Sequence, residues 1–180
     1  MKLTWFARTA IRIHIGGEIL VADPDAAPHS VDPRELVSGA DRVFALASDE
    51  PGLPAADPNR WRPRPKRAPI DATVERPAVE LFSIGRRAVL ADAPGEPPLA
   101  LLAGSEPPRF GRWAEGGVVV LFGAREGLIA TGTVLLDVAQ PRLLALAAEE
   151  GDVETAIAEL AEHLDGTGLV SLEPGMALEV

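Results

Sequence analysis

The chain has 180 residues, of which 47% are apolar and 24% charged, with a formal net charge of −10. That length suits a single domain able to bury a core without staples. Cysteine is absent and histidine is scarce, which excludes disulfides, thiolate nucleophiles and histidine-rich metal centres, and the acidic field opposes binding to nucleic acid.

The elements are taken in chain order. Residues 3–6 read as a short strand, and residues 10–15 alternate so that Ile11, Ile13 and Ile15 share one face. Gly16-Gly17 is a hairpin signal, because the turns that suit hairpins need positive φ. Residues 18–22 return as a strand with apolar side chains on both faces, hence buried on both sides. Asp32 followed by Pro33 predicts a helix start, with Asp32 as cap and a stop near Gly39. Residues 42–47 are the next strand.

Residues 49–77 differ in kind. Seven prolines (51, 54, 58, 63, 65, 69 and 77) forbid a helix interior or a regular ladder, so a long loop is expected. Strands follow at 79–84 and 87–91, with a turn at Gly85-Arg86. Residues 99–103 and 118–122 are continuous apolar runs, as in the centre of a sheet. Residues 128–130, 133–136 and 142–147 also read as strands. One clear helix is predicted, capped by Asp152 and stopped by Gly166, with Val153, Ala156, Ile157, Leu160, Ala161 and Leu164 on one face. A strand, a turn and a strand close the chain over 170–180. The pattern predicts a β-rich two-layer core with helices outside. No apolar run is long enough for a membrane helix, and the opening residues lack a signal peptide's apolar stretch, so a cytoplasmic protein without a transmembrane segment is expected.

Several of these pieces resemble the metallo-β-lactamase fold, in particular the short lactonase-like metal-dependent hydrolases. The opening Met1-Lys2-Leu3-Thr4-Trp5-Phe6-Ala7-Arg8-Thr9-Ala10 is similar to that family's M-K-L-T-W-L-G-H-A start. The strand ending in Asp23-Pro24 resembles its I-L-I-D-P strand, and Leu172-Glu173-Pro174-Gly175 its closing L-x-P-G-E. The resemblance implies an α/β (α+β) fold: a β-sandwich of mixed sheets with few outer helices, reduced in size, as one domain over residues 1–180 carrying the Pro/Arg-rich loop 49–77.

It also implies where a metal site would lie. The family's D-x-x-x-x-T-H-x-H-x-D-H motif falls on residues 41–52, which begin with Asp41. The two early histidine positions hold Ala47 and Asp49, and the later aspartate and histidine positions hold Pro51 and Gly52. The family's strand-following Gly-Asp is Gly123-Ala124, its late histidine falls among Leu146, Ala147 and Ala148, and its early Gly-His is Ala7-Arg8. Alanine, proline and glycine side chains offer no electron pair to Zn²⁺. A degenerate member without metal, cofactor or catalytic residues is therefore expected.

Three other readings concern side chains. Asp23, Asp41 and Asp49, with His14 as a further candidate, are either a rebuilt carboxylate site for an oxygen-preferring cation in a hydrolase, or strand-end residues that accept backbone N–H bonds. Arg8 and Arg12 would bind a small anion if both entered the emptied site. The most unusual stretch is Arg60-Trp61-Arg62-Pro63-Arg64-Pro65-Lys66-Arg67. Arginine and tryptophan dominate interface hot spots, and proline stiffens a segment so that docking costs little entropy. Arg60, Trp61, Arg62, Arg64, Lys66 and Arg67 are the expected partner-binding residues, with Trp113 a second contact or a packing residue. The sequence thus predicts a catalytically inactive interaction module or accessory subunit of a larger complex, with a protein partner.

Overall fold

The computed structural model describes residues 1–64 and 78–180. Two mixed sheets stack face to face. The first is built from β1 (Lys2–Ala7), β2 (Ala10–Ile15), β3 (Glu18–Ala22) and β4 (Arg42–Phe44), with the late strand β11 (Ala177–Glu179) added beside β1. The second runs β10 (Gly168–Ser171), β9 (Leu143–Ala147), β8 (Val118–Phe122), β7 (Leu99–Leu102), β6 (Ala88–Asp92), β5 (Glu80–Gly85). Strands β7 to β10 are parallel, while β5, β6 and β7 form an antiparallel meander. The expected sandwich of mixed sheets with few outer helices is the observed architecture.

Alternation along the strands divides the core into two layers. Val89, Ala91, Leu99, Leu101, Val118, Val120, Ala145 and Ala147 face the first sheet and meet Leu3, Trp5, Ile11, Ile13 and Leu20. Ala88, Leu90, Ala100, Leu102, Val119, Leu121, Leu144 and Leu146 face the other way. They are covered by α2 (Arg125–Val138) and α3 (Glu150–Leu160) through Leu128, Leu135, Val153, Ala156 and Leu160. Every residue of β7 and β8 is buried, as the continuous apolar runs require. On the outer side of the first sheet, α1 (Pro33–Val37) seats Leu36, and Arg12 donates to the carbonyls of Leu36 and Ser38.

Local signals were read with mixed success. Gly16 and Gly17, at φ 58° and 84°, make the tight turn between β2 and β3. Asp32 caps α1 by accepting from Arg34 N at 2.8 Å. The β5–β6 turn falls on Arg86-Arg87, one residue later than expected, because the pairing shifts between Ser83 and Gly85 and Gly85 stays in the strand. Helix α3 starts before Asp152, which lies in its first turn, and gives way after Leu160 to a 3-10 turn over Ala161–His163.

The larger correction concerns residues 128–136, which form not two strands but the middle of α2. Ile129, Thr131, Thr133 and Val134 favour strands locally. The buried set Leu128, Thr131, Gly132 and Leu135 has helical spacing, however, and packing on β8 and α3 decides the outcome. No helix among the described residues is long and apolar enough to cross a membrane.

The chain ends lie side by side. Val180 N donates to Met1 O at 3.0 Å, and the Met1 amino group to Val180 O at 3.2 Å.

Candidate functional site

The topology gathers one rim. Strands β1, β3 and β4 end there at Ala7, Ala22 and Phe44, and β7 to β10 end there at Leu102, Phe122, Ala147 and Ser171. Two contacts tie the sheets together at this end. Gly175 N donates to Trp5 O at 2.7 Å, and Arg86, in the turn leading into β6, pairs with Asp49, beyond β4. Crevices beyond the carboxyl ends of parallel strands are the usual place for ligands. Non-glycine residues in the left-handed region among the described residues are Arg8 (φ 46°), Asp23 (43°) and Arg87 (51°), and all three sit on this rim. Such conformations persist only where the surroundings hold them.

For Asp23 those surroundings are visible. Its carboxylate accepts from Leu46 N at 3.0 Å and Ala47 N at 2.7 Å, while its own N–H donates to Phe44 O at 3.1 Å. The left-handed turn at Asp23 thus fastens the chain that leaves β4. Asp41 does comparable work at the opposite end of β3. It accepts from Ile19 N at 2.7 Å, and its N–H donates to Ile19 O. Ile19 and Asp23 are four residues apart on an extended strand, roughly 13 Å at the usual rise. Asp23 and Asp41 therefore cannot share an ion. Asp49 stands on the rim but is exposed and paired with Arg86. His14 lies exposed near the far end of β2, and burial together with the Arg12 and Lys2 charges lowers its pKa. The structure thus does not bring Asp23, Asp41, Asp49 and His14 together.

The positions on which the family's metal motif falls carry few donors. Ala47, Pro51, Gly52, Ala124 and Ala148 carry no ligand atoms. Among the described residues no group of three or more histidines, aspartates or glutamates is placed to hold an ion. The anion reading lacks one of its two arginines, since Arg12 is bound to the carbonyls of Leu36 and Ser38.

The proline-rich arm is partly built into the body. Residues 54–56 run beside β5, with Ser83 N donating to Pro54 O and Ala56 N to Ser83 O, at 2.8 and 2.9 Å. Trp61 was expected as an exposed anchor but is 8% exposed and belongs to the outer core with Leu90, Leu102 and Trp113. An indole buries more apolar surface against the second sheet than it could in water. Arg64 is not free for a partner either. It donates from Nε to Asp92 Oδ2 at 3.1 Å, from Nη2 to Ala78 O at 3.0 Å and to Asp92 O, and lies 3.6 Å from Glu80. Arg60 and Arg62 remain exposed. Lys66 and Arg67 lie outside the described residues. Trp113 is fully buried and packs against Phe110 at 5.7 Å between ring centroids, which makes it a packing residue.

Asp92, the partner of Arg64, was missed in the sequence although a signal exists: it is a lone acid in the apolar run of β6. It is 1% exposed, and Oδ1 has no hydrogen-bond partner among the described residues. Burial raises its carboxyl pKa above the ordinary value, with Arg64 opposing.

No family model and no curated protein sequence matches this chain. Among solved structures, it is similar to Igni18, described as a novel metallo hydrolase from the hyperthermophilic archaeon Ignicoccus hospitalis. The TM-score is 0.57 at 12% identity, over 99% of this chain and 98% of that one, so the two are nearly coextensive. At that identity the likeness concerns architecture alone: the chain has a metallo-hydrolase-like fold.

Proposed function

We propose that this protein is a cytoplasmic, non-catalytic interaction module, a degenerate relative of the metallo-β-lactamase-type hydrolases that serves as an accessory subunit of a larger complex. The observation that carries the reading is the donor set of the rim. Metal-dependent hydrolases use their ions to generate hydroxide at neutral pH and to polarise the scissile group. Here the motif positions carry alanine, proline and glycine, Asp23 is engaged by two backbone N–H groups, and Asp49 is paired with Arg86. The exposed Arg60 and Arg62 supply part of the contact surface.

The test is metal loading followed by turnover. Purified chain incubated with Zn²⁺, Mn²⁺ or Fe²⁺ and desalted should retain far less than one equivalent, and should hydrolyse neither esters nor lactones above background. Stoichiometric retention with chelator-sensitive hydrolysis would overturn the proposal. The second reading, a hydrolase, is favoured by the likeness to Igni18. It would need carboxylates such as Asp23, Asp41 and Asp49 to leave their present partners, and the same assay decides it.

A further inference from the structure

Two stretches far apart in sequence, the arm around Arg62 and the segment Phe110 to Glu115, meet on the α2 side of the molecule. Gly111 permits it: a Cβ there would stand 2.6 Å from Pro58 O and 2.7 Å from Pro58 Cα. The junction borders a hollow of about 430 Å³ flanked by Arg62 and Arg112, with Phe110 on its wall. A second hollow, of about 310 Å³, is flanked by Asp137 and Asp165. The two share Glu115, Val138 and Ala139 as a boundary, so they form one trough crossed by the end of α2.

The trough is polarised. Arg112 is exposed and makes no ion pair among the described residues. Arg62 donates from Nη1 to Asn59 O at 3.1 Å and Trp61 O at 2.6 Å, which fixes its guanidinium beside Arg112's hollow. At the other end Asp137 lies 3.4 Å from His163, its one ion-pair partner among the described residues, and Asp165 is exposed. Between them Val138 is 60% exposed, and Val134, one turn earlier on α2, is 42% exposed. A single exposed valine means little, but here it stands beside Glu115 between a hollow in which two arginines outnumber that one acid and a hollow in which acids predominate, and this polarity specifies an occupant.

We infer that this trough docks an extended segment of a partner protein bearing, in order, a carboxylate, an apolar side chain and a basic residue. The carboxylate meets Arg62 and Arg112, the apolar group covers Val138 and Phe110, and the basic residue meets Asp137 and Asp165. A nucleic acid suits the trough less well, because phosphates seated on the arginines would extend toward Glu115, Asp137 and Asp165. The inference rests on the interaction-module reading and names its partner.

The experiment uses the full chain and a labelled peptide of about nine residues: two glutamates, a central leucine-phenylalanine pair and two lysines. Fluorescence anisotropy at low ionic strength, about 50 mM, keeps the charge contribution visible. This peptide should bind at least about tenfold more tightly than one with its charges replaced by glutamine or its apolar pair by serine. The Arg62→Glu/Arg112→Glu double variant should lose at least about tenfold in affinity, and Asp137→Lys should weaken binding separately. These side chains are exposed, so the thermal midpoint should hold. If the double variant folds poorly, Arg112→Gln alone should still weaken binding. Equal affinity for the glutamine control, indifference to the arginine substitutions, or tighter binding of oligothymidylate would each overturn the inference. None of those results touches the metal assay, so the trough can fail while the non-catalytic reading stands.

Discussion

The strand-end rim and the α2 trough both present charged side chains at a surface, but they use them differently. At the rim, Asp23 holds two backbone N–H groups and Asp49 holds Arg86. In the trough, Arg112 and Asp165 are exposed, and Val138 stands in water between the two hollows. Asp23 and Asp49 thus spend charge on holding the chain and a neighbouring turn. A guanidinium without a counter-ion is a ready docking point.

That comparison can be broken at the arm that joins the two regions. Trp61→Ala should cost about 3–5 kcal/mol in urea unfolding, the usual range for removing a large buried aromatic. An effect near zero would mean that the arm is only laid on the surface. For the same reason, deleting residues 60–67 would unfold the body along with the contact surface, so it cannot separate docking from stability.

Asp23→Ala comes next. Two charge-assisted acceptor contacts are lost at an irregular turn, and unfolding should become easier by about 2 kcal/mol. A metal-dependent activity that vanished in this variant with stability unchanged would make the rim chemical rather than structural.

Asp92 sharpens the contrast through pH. Burial outweighs Arg64 and raises its carboxyl above the ordinary 3.8, so the ionised form is less favoured in the folded chain than in the unfolded one. The associated stability is fully present below the ordinary value and is lost as pH rises through the folded pKa. Compared with Asp92→Asn, the wild-type chain should lose ground from about pH 4 toward neutrality. Urea midpoints of both proteins across that span provide the measurement, and a wild-type chain that gains on Asp92→Asn as pH rises contradicts the assignment.

The smallest effect belongs to Asp49→Asn. Its pair with Arg86 is solvent-exposed, and such pairs add little. The thermal midpoint should stay within scatter, and a clear drop would show that Asp49 holds more than one neighbour.

Much of the framework was legible because its signals are local. Alternation marks β2, Gly16-Gly17 the turn after it, Asp32-Pro33 the start of α1, and the unbroken apolar runs the central strands. Helix α2 was misread because its β-branched residues speak for a strand one position at a time, while the burial that makes it a helix comes from β8 and α3. That Ala47, Pro51 and Gly52 offer no side-chain ligand follows from residue type alone, in any conformation. The arm was half legible. Composition marks Arg60, Trp61, Arg62 and Arg64 as unusual, yet nothing in their spacing shows that Trp61 and Arg64 turn inward. Their partners lie on β6 and beyond. The trough was invisible for the same reason, as Arg62, Arg112 and Val138 meet only after folding.

The pairing of β1 with β11 sets an order on biogenesis. Lys2, Leu3 and Thr4 leave the ribosome well before their neighbours Glu179, Leu178 and Ala177, with all the other strands made in between. Until β11 emerges one flank of β1 is an open edge, with unsatisfied amides and a buried-type face around Leu3 and Trp5. Nascent chains should therefore depend on holding factors until β11 has emerged, and removing β11 should hurt yield in cells more than its three paired residues suggest.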